Sequence, residues 1–345
     1  MNFDLPSPTP TPTTPIADLS YRNYDGPLHT RALRWWVIAV AMMRLSVSSL
    51  AFKIVAGLSI IPYLFVTFLL YLRSQFPIPP GPQQLAMGSI FDNTVGQKYA
   101  LQFYNAQGYQ LLLLLILTLI AGAGSIASDN RSNALQVYLS KPITKGDYLI
   151  GKWVGLFLTL FTVAFAPALL FYLYCLLSYT SDGFLREEPM LFLHMFLVTA
   201  LTAAIFSSLM IGISAWSKSA RIAGAILASL YFASQAIAWL GWRVQSDGDP
   251  SKNILTLHSS LGGVLSGLSQ GIYHITIHTS IVNKRRMLNP VFAPGRRNGG
   301  LPNFIIPIDI TPPDIKIMLL VALALIVVGV VAARMRINAV EVVRG

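Results

Sequence analysis

The chain has 345 residues, 54% of them hydrophobic and only 11% charged, with a mean hydropathy of +0.59. That balance excludes an ordinary soluble globular protein and marks an integral membrane protein. The net charge of +11 would suit a nucleic-acid binder only if the basic residues gathered on one folded surface with polar or aromatic readers. Here most of them flank apolar runs, where they set topology and attract anionic lipid.

The first fifteen residues, MNFDLPSPTPTPTTP, are polar and lack the apolar core of a signal peptide. Residues 1–20 are therefore expected to form a disordered Pro/Thr-rich cytoplasmic tail. Residues 21–53 read as a cytoplasmic and interfacial section. Its apolar stretch, Trp35 to Met43, is too short to span and is bracketed by Arg31, Arg34 and Arg44. This pattern fits an amphipathic helix in the membrane plane, with Trp35 and Trp36 at headgroup depth; the alternative is a downward extension of the first spanning helix.

From residue 54 to 345 the chain reads as a transmembrane domain. Six windows are long enough to cross a hydrocarbon core of roughly 30 Å at about 1.5 Å per residue: Ile54–Leu72, Tyr109–Ala127, Trp153–Leu177, Leu191–Ala215, Ile222–Trp242 and Ile317–Ala333. Their lack of polar–apolar alternation excludes a β-barrel. The expected fold is an all-α polytopic membrane protein with six transmembrane helices, an N-terminal in-plane amphipathic helix and a large external connection, 243–316, between helices 5 and 6.

Lys and Arg distribution orients it. Arg22, Arg31, Arg34, Arg44 and Lys53 precede the first window, and Arg131, Lys141, Lys145 and Lys152 fall in the second connection. Lys218 and Arg221 fall in the fourth, and Arg334, Arg336 and Arg344 follow the last window. The short connections on the other side hold only Arg73, Lys98 and Arg186. Both termini are expected in the cytoplasm, with the protein in the inner or plasma membrane. The spans carry almost no charge, His194 and Gln235 being the main polar exceptions later in the chain; this disfavours a proton-coupled carrier. Small residues in AGAGSIAS, from Ala121 to Ser128, and around Ala200 to Ser208 permit close helix packing. Cys175 has no partner in the chain and reads as a small buried packing residue.

The second connection, residues 128–152, carries the strongest pattern. Asp129 stands where it would cap a short helix, along which Ala134, Leu135, Tyr138 and Leu139 recur at three- and four-residue spacing. Arg131, Ser132, Asn133, Gln136 and Ser140 fill most of the other face. Pro142 ends that helix, and Thr144 with Asp147 has the spacing of a capping box for the next. The apolar face has two available partners, lipid or another protein.

At these residues the chain resembles the ABC-2 type permeases, the membrane subunits of a class of ATP-binding-cassette transporters. The resemblance rests on Asp129, Leu135, Pro142-Ile143-Thr144-Lys145, Tyr148 and Gly151-Lys152, with Asp in place of the commoner Glu at the first position. It extends loosely over the in-plane helix, the six spans and the tail INAVEVVRG. It implies that 128–152 is a coupling segment seated in a cleft of an ATPase, with Asp129, Arg131, Leu135, Tyr138, Leu139, Pro142 and Lys145 as its site residues. It implies further that Tyr21 to Gly26 approaches the same interface. The implied partners are two copies of a cytoplasmic ATPase, a second permease subunit as a homodimer, and membrane lipid, with no nucleic acid. ATP and Mg would belong to the ATPase, leaving this chain with no cofactor, no metal and no catalytic residue. The implied function is export.

Several patterns compete with that reading. Gly146 to Lys152 has P-loop spacing, but Trp153 stands where the magnesium-binding Ser or Thr belongs and no strand precedes it. Gly267-Leu-Ser269-Gln-Gly271 spells a hydrolase elbow, which makes an intramembrane hydrolase using Ser269 a rival function. The same stretch carries Gly263, Gly267 and Gly271 at four-residue spacing, the pattern of a helix with a glycine groove. His274 and His278, with His258 upstream, have helical metal-site spacing but no carboxylate or Cys nearby. Lys284, Arg285, Arg286, Arg296 and Arg297 read as a solvated external face. A further rival is a mechanical or assembly subunit that an ATPase drives without small-substrate transport.

Overall fold

A computed structural model of the chain describes residues 34–75, 98–132, 143–181, 183–245, 260–274, 277–282, 305–310 and 314–337. The expectations for the N-terminal tail, Tyr21 to Gly26, Leu135, Tyr138, Leu139, Pro142, His258, the basic run from Lys284 to Arg297 and the C-terminal tail lie outside the described residues.

Among the described residues, six helical stretches are long and apolar enough to cross a membrane, and they match the six windows. The first is built from α2 (Leu50–Leu58) and α3 (Ile61–Gln75). The others are α4 (Lys98–Gly122), α6 (Lys145–Tyr179), α8 (Leu191–Trp216), α9 (Ala220–Gln245) and α11 (Ile315–Arg336). Before them lies α1 (Arg34–Ser48), and shorter helices are α5 (Ala127–Arg131), α7 (Phe184–Glu187) and α10 (Leu261–Ile272). At Ser49 the backbone is extended (φ −70°, ψ 129°), so α1 is a separate helix rather than a continuation of α2.

The helix α8 is the most enclosed span, with two-thirds (67%) of its apolar window buried, whereas α11 buries 17%. It packs against α4, α6, α9, α10 and α11. Its small residues Ala203, Ala204, Ser207, Ser208 and Gly212 explain the centrality, since a slender helix admits neighbours from all sides. The closest approach is to α11. A methyl group added at Gly212 would lie 2.7 Å from the carbonyl oxygen of Gly329, and one added at Gly329 would collide with the Ser208 carbonyl. Trp153, Phe157, Phe161 and Phe165 stack at four-residue spacing along α6, centroids 5.0–5.8 Å apart. Phe192 and Phe196 of α8 meet that column edge-on. Cys175 is buried, as its packing role requires.

At the end of the bundle far from α1, Phe184 of α7 sits edge-on to Tyr99, centroids 4.8 Å apart. The Glu188 carboxylate accepts from the Ala100 amide (3.0 Å), satisfying an open donor in the first turn of α4. Here α10, the expected glycine-grooved helix, lies buried among α4, α8, α9 and α11 on every residue but Ser266. Ser260 caps it by accepting from the Gly263 amide (2.9 Å), and Ser234 of α9 accepts from the Leu261 amide (3.2 Å). Its Gly271 rests against Ile315 of α11.

The helical reading ends one turn too late at this point. His274 follows α10 in a left-handed conformation (φ 53°), and His278 lies in a strand, β1 (Ile277–Val282). β1 pairs antiparallel with β2 (Ile305–Ile310), with Ile277 opposite Ile310 and Val282 opposite Ile305. The two histidines therefore share no helix face. The β-branched run Ile275-Thr276-Ile277 favours a pleated backbone over a helical one.

Candidate functional site: the junction of α1, α5, α6 and α8

The expected contact segment opens where α4 stops. After Gly122 the chain leaves the helix for a turn through Ala123 to Ile126, and this strands backbone groups inside the protein. Ser214 of α8 takes up the load: its hydroxyl donates to the Ala123 carbonyl (3.0 Å) and accepts from the amides of Ile126 (3.1 Å) and Ala127 (3.0 Å). One turn on, the Asn130 side chain donates to the Ala215 carbonyl (3.1 Å). The run AGAGSIAS is thus small because the chain bends hard against α8. A methyl group at Gly122 would meet Met210 and Leu156 at 2.5 and 2.8 Å.

Asp129 is not the N-cap of α5. Residue Ile126 occupies the N-cap position of α5 without a side-chain bond, and Asp129 falls in the first turn. Its carboxylate turns to α6 instead, where one oxygen accepts from the Tyr148 hydroxyl (2.7 Å) and from the Lys152 ammonium (2.8 Å). Both Tyr148 (0% exposed) and Lys152 (8%) are buried, so the charge on each side depends on the other. The helix that Asp129 is expected to cap, through Ala134 to Leu139, lies outside the described residues; the Asp129 carboxylate itself is engaged by a buried ammonium and phenol.

The capping box formed as expected. Thr144 accepts from the Asp147 amide (3.1 Å), and the Asp147 carboxylate accepts from the Thr144 amide (3.1 Å) and hydroxyl (2.8 Å). This starts α6 at Lys145. Lys145 is exposed in the first turn, and Arg131 is exposed at the end of α5. The Gly146–Lys152 stretch is continuous helix, with Lys152 engaged in its ion pair, so it forms no phosphate-binding loop.

The other face of α6 receives α1. A methyl group at Gly151 would lie 2.6 Å from the Trp35 carbonyl oxygen and 2.7 Å from Cβ of Ile38, and one at Gly155 would lie 2.7 Å from Cβ of Met42. These glycines are the seat of α1, and only hydrogen side chains let the two backbones approach so closely. The Gly151-Lys152 pair thus has two distinct jobs, glycine for α1 and lysine for Asp129. Trp153 then fixes α6 to α8 by donating to the Ser208 hydroxyl (2.8 Å).

Of the expected site residues, Asp129, Arg131 and Lys145 lie at this junction, and only Asp129 is built into it. Sequence reasoning missed Ser214 and Asn130 as its anchors and Gly155 as part of the seat. Gly151-x-x-x-Gly155 carries a readable small-residue spacing; Ser214 has no local signal, because its partners stand nearly ninety positions away. The Ser269 hydroxyl, the nucleophile of the rival hydrolase reading, lies in the middle of α10 without a hydrogen-bond partner. A nucleophile elbow needs a strand–turn–helix and an adjacent base, and helix α10 is neither.

The search of curated proteins found no match. A family model described as ABC-2 family transporter protein matches residues 31–242, more than half of the chain. The match takes in α1, the bent α4–α5 passage, and α6 through most of α9. This chain belongs to the ABC-2 family of transporter proteins, as a multi-pass membrane component of an ATP-binding-cassette transporter.

Proposed function

We propose that the chain is the permease subunit of an exporter that moves its substrate out of the cytoplasm, driven by ATP hydrolysed with Mg in two copies of a separate ATPase subunit. The observation that carries this reading is the junction itself. The segment that enters the undescribed residues 133–142 leaves from α5, returns through the capping box of α6, and is tied at both ends by the Asp129–Lys152–Tyr148 cluster. A push on that segment is transmitted directly to α6, to α8 through Ser214, and to α1 through Gly151 and Gly155. In this reading Leu135, Tyr138 and Leu139 seat in the ATPase, Pro142 stiffens the return, and Arg131 and Lys145 meet its acidic rim. The helix α1 lies in the membrane plane on the cytoplasmic side, with both termini there, and a second copy completes a homodimer. Membrane lipid covers the remaining apolar faces.

The test is co-purification of the chain with its ATPase, followed by vesicle-based ATPase and efflux measurements. Replacing Leu135, Tyr138 and Leu139 by alanine should release the ATPase or leave hydrolysis running without efflux. Retained association and full coupling in that variant sink the proposal. Coupled hydrolysis in the native complex with no substrate movement would instead support the mechanical-subunit reading.

A further inference from the structure

Between α4, α6, α8 and α10, at the end of the bundle remote from the α1 junction, lies a cleft of about 460 Å³ counted out to its open mouth. Leu111, Leu114 and Val198 make much of its wall apolar, and no Asp, Glu, Lys, Arg or His lines it among the described residues. An uncompensated charge would be costly there.

Of the polar side chains that line the cleft, Gln107, Gln110, Thr199 and Ser266 bond within the protein, while Tyr104, Thr202 and Ser269 show no hydrogen bond among the described residues. The Gln107 amide donates to the Thr199 hydroxyl (3.1 Å) and its carbonyl accepts from the Tyr273 hydroxyl (2.9 Å). Thr199 in turn donates to the Met195 carbonyl (2.8 Å). Ser266 donates to the Gly263 carbonyl (3.0 Å) and keeps only acceptor capacity.

Ser269 is 5% exposed, lines the cleft, and its buried Oγ has no hydrogen-bond partner. Helical hydroxyls in this protein ordinarily turn back onto the carbonyl four residues earlier, as Thr67, Thr118, Thr159 and Ser207 do at 2.7 Å. Ser269 forgoes that bond although it stands inside a regular helix. A buried hydroxyl left unpaired is costly, and a group arriving in the cleft removes that cost.

We propose that this cleft binds the hydroxyl end of a small uncharged amphiphile, with Ser269 as the residue that receives it. An alcohol matches the free capacity: its oxygen accepts from Ser269, and its proton goes to Ser266, one turn away on the same helix face. The apolar body then lies against Leu111, Leu114 and Val198 and leaves through the mouth. The inference concerns what the cleft holds and stands without the export reading. The alcohol is supplied either by the membrane, as a neutral lipid with a free hydroxyl, or by the cytoplasm, as cargo.

The test uses the full chain in phosphatidylcholine nanodiscs and a diazirine-bearing octan-1-ol as a photoaffinity probe, with labelled positions mapped by mass spectrometry. Saturable labelling on α4, α8 and α10 is expected, displaced by octan-1-ol but not by octane or octanoate. Ser269→Ala should weaken binding about 5-fold, the scale of one lost hydrogen bond, while Thr67→Val, removing a hydroxyl on α3, leaves it unchanged. Leu111→Phe, which narrows the cleft from α4, should lower labelling by volume alone, so the idea remains testable if the serine variant fails to fold. Equal competition by octane or octanoate, unchanged labelling in both cleft variants, or no saturable labelling, meaning a cleft that holds water only, overturns the proposal. A neutral lipid alcohol retained on purification identifies the membrane source, and ATP-dependent loss of the bound probe in an ATPase complex identifies cargo. Should no ATPase associate while labelling persists, the export reading fails and the binding site stands.

Discussion

Asp129 and Lys152 are each nearly enclosed, so removing either charge leaves the other without its counterpart. Lys152→Met should destabilise the protein by about 2–3 kcal/mol, below the roughly 3–5 kcal/mol of a fully buried pair because the Asp129 side chain keeps 18% exposure. The double variant Asp129→Asn/Lys152→Met should recover part of that loss, since neither remaining group is an ion. Thermal unfolding in detergent reads both, and a double variant as unstable as the sum of the singles would show that the charges are not coupled. Ser214 carries a different burden. Ser214→Ala strands two amides and a carbonyl at the α4–α5 bend, and about 1–3 kcal/mol of stability should be lost, with hydrogen exchange rising first at Ile126 and Ala127. Unchanged exchange there would show that the bend does not depend on α8.

Among the elements, the crossing of α8 and α11 is held by the absence of side chains. The atoms facing Gly212 and Gly329 belong to backbone, which cannot rotate aside. Gly329→Leu should therefore separate the two helices and destabilise the bundle by about 3 kcal/mol or more, far more than Gly57→Leu, where nothing stands within 4 Å. Comparable thermal stability of the two variants would contradict the packing. This crossing was half legible. The small residues from Ala200 to Ser208 announced close packing, but VVGVVAA around Gly329 reads as an ordinary apolar span, and no local pattern names α8 as its partner. The seat of α1 on α6 has the same character, since Gly151 and Gly155 stand at a readable spacing while the helix they receive begins more than a hundred residues earlier.

Over the whole molecule, what hydropathy and caps encode locally was readable: six spans, the Thr144–Asp147 box and the glycine-spaced α10. What depends on distant partners was not, as with Asp129, whose bonds to Tyr148 and Lys152 no local pattern announces, or His278, which went to a strand. Length adds an argument about orientation. The 35 residues of α6 extend roughly 52 Å at 1.5 Å each, well beyond a hydrocarbon core of about 30 Å. Its surplus falls at the polar start from Lys145 to Lys152, where α1 and α5 attach, and this end also gathers Lys218, Arg221, Arg334 and Arg336. Basic flanks stay on the cytoplasmic side during insertion, so this end should face the cytoplasm and α7 should face outward. Cys175 is buried, and replacing it by serine provides a cysteine-free background in which Lys145→Cys and Glu187→Cys, both at exposed positions, report opposite ends. A membrane-impermeant maleimide should label the Glu187→Cys protein in intact cells and the Lys145→Cys protein only in inverted vesicles. The reverse pattern would place the α5–α6 junction outside, away from any ATP, and would remove the physical basis for driving this permease from the cytoplasm.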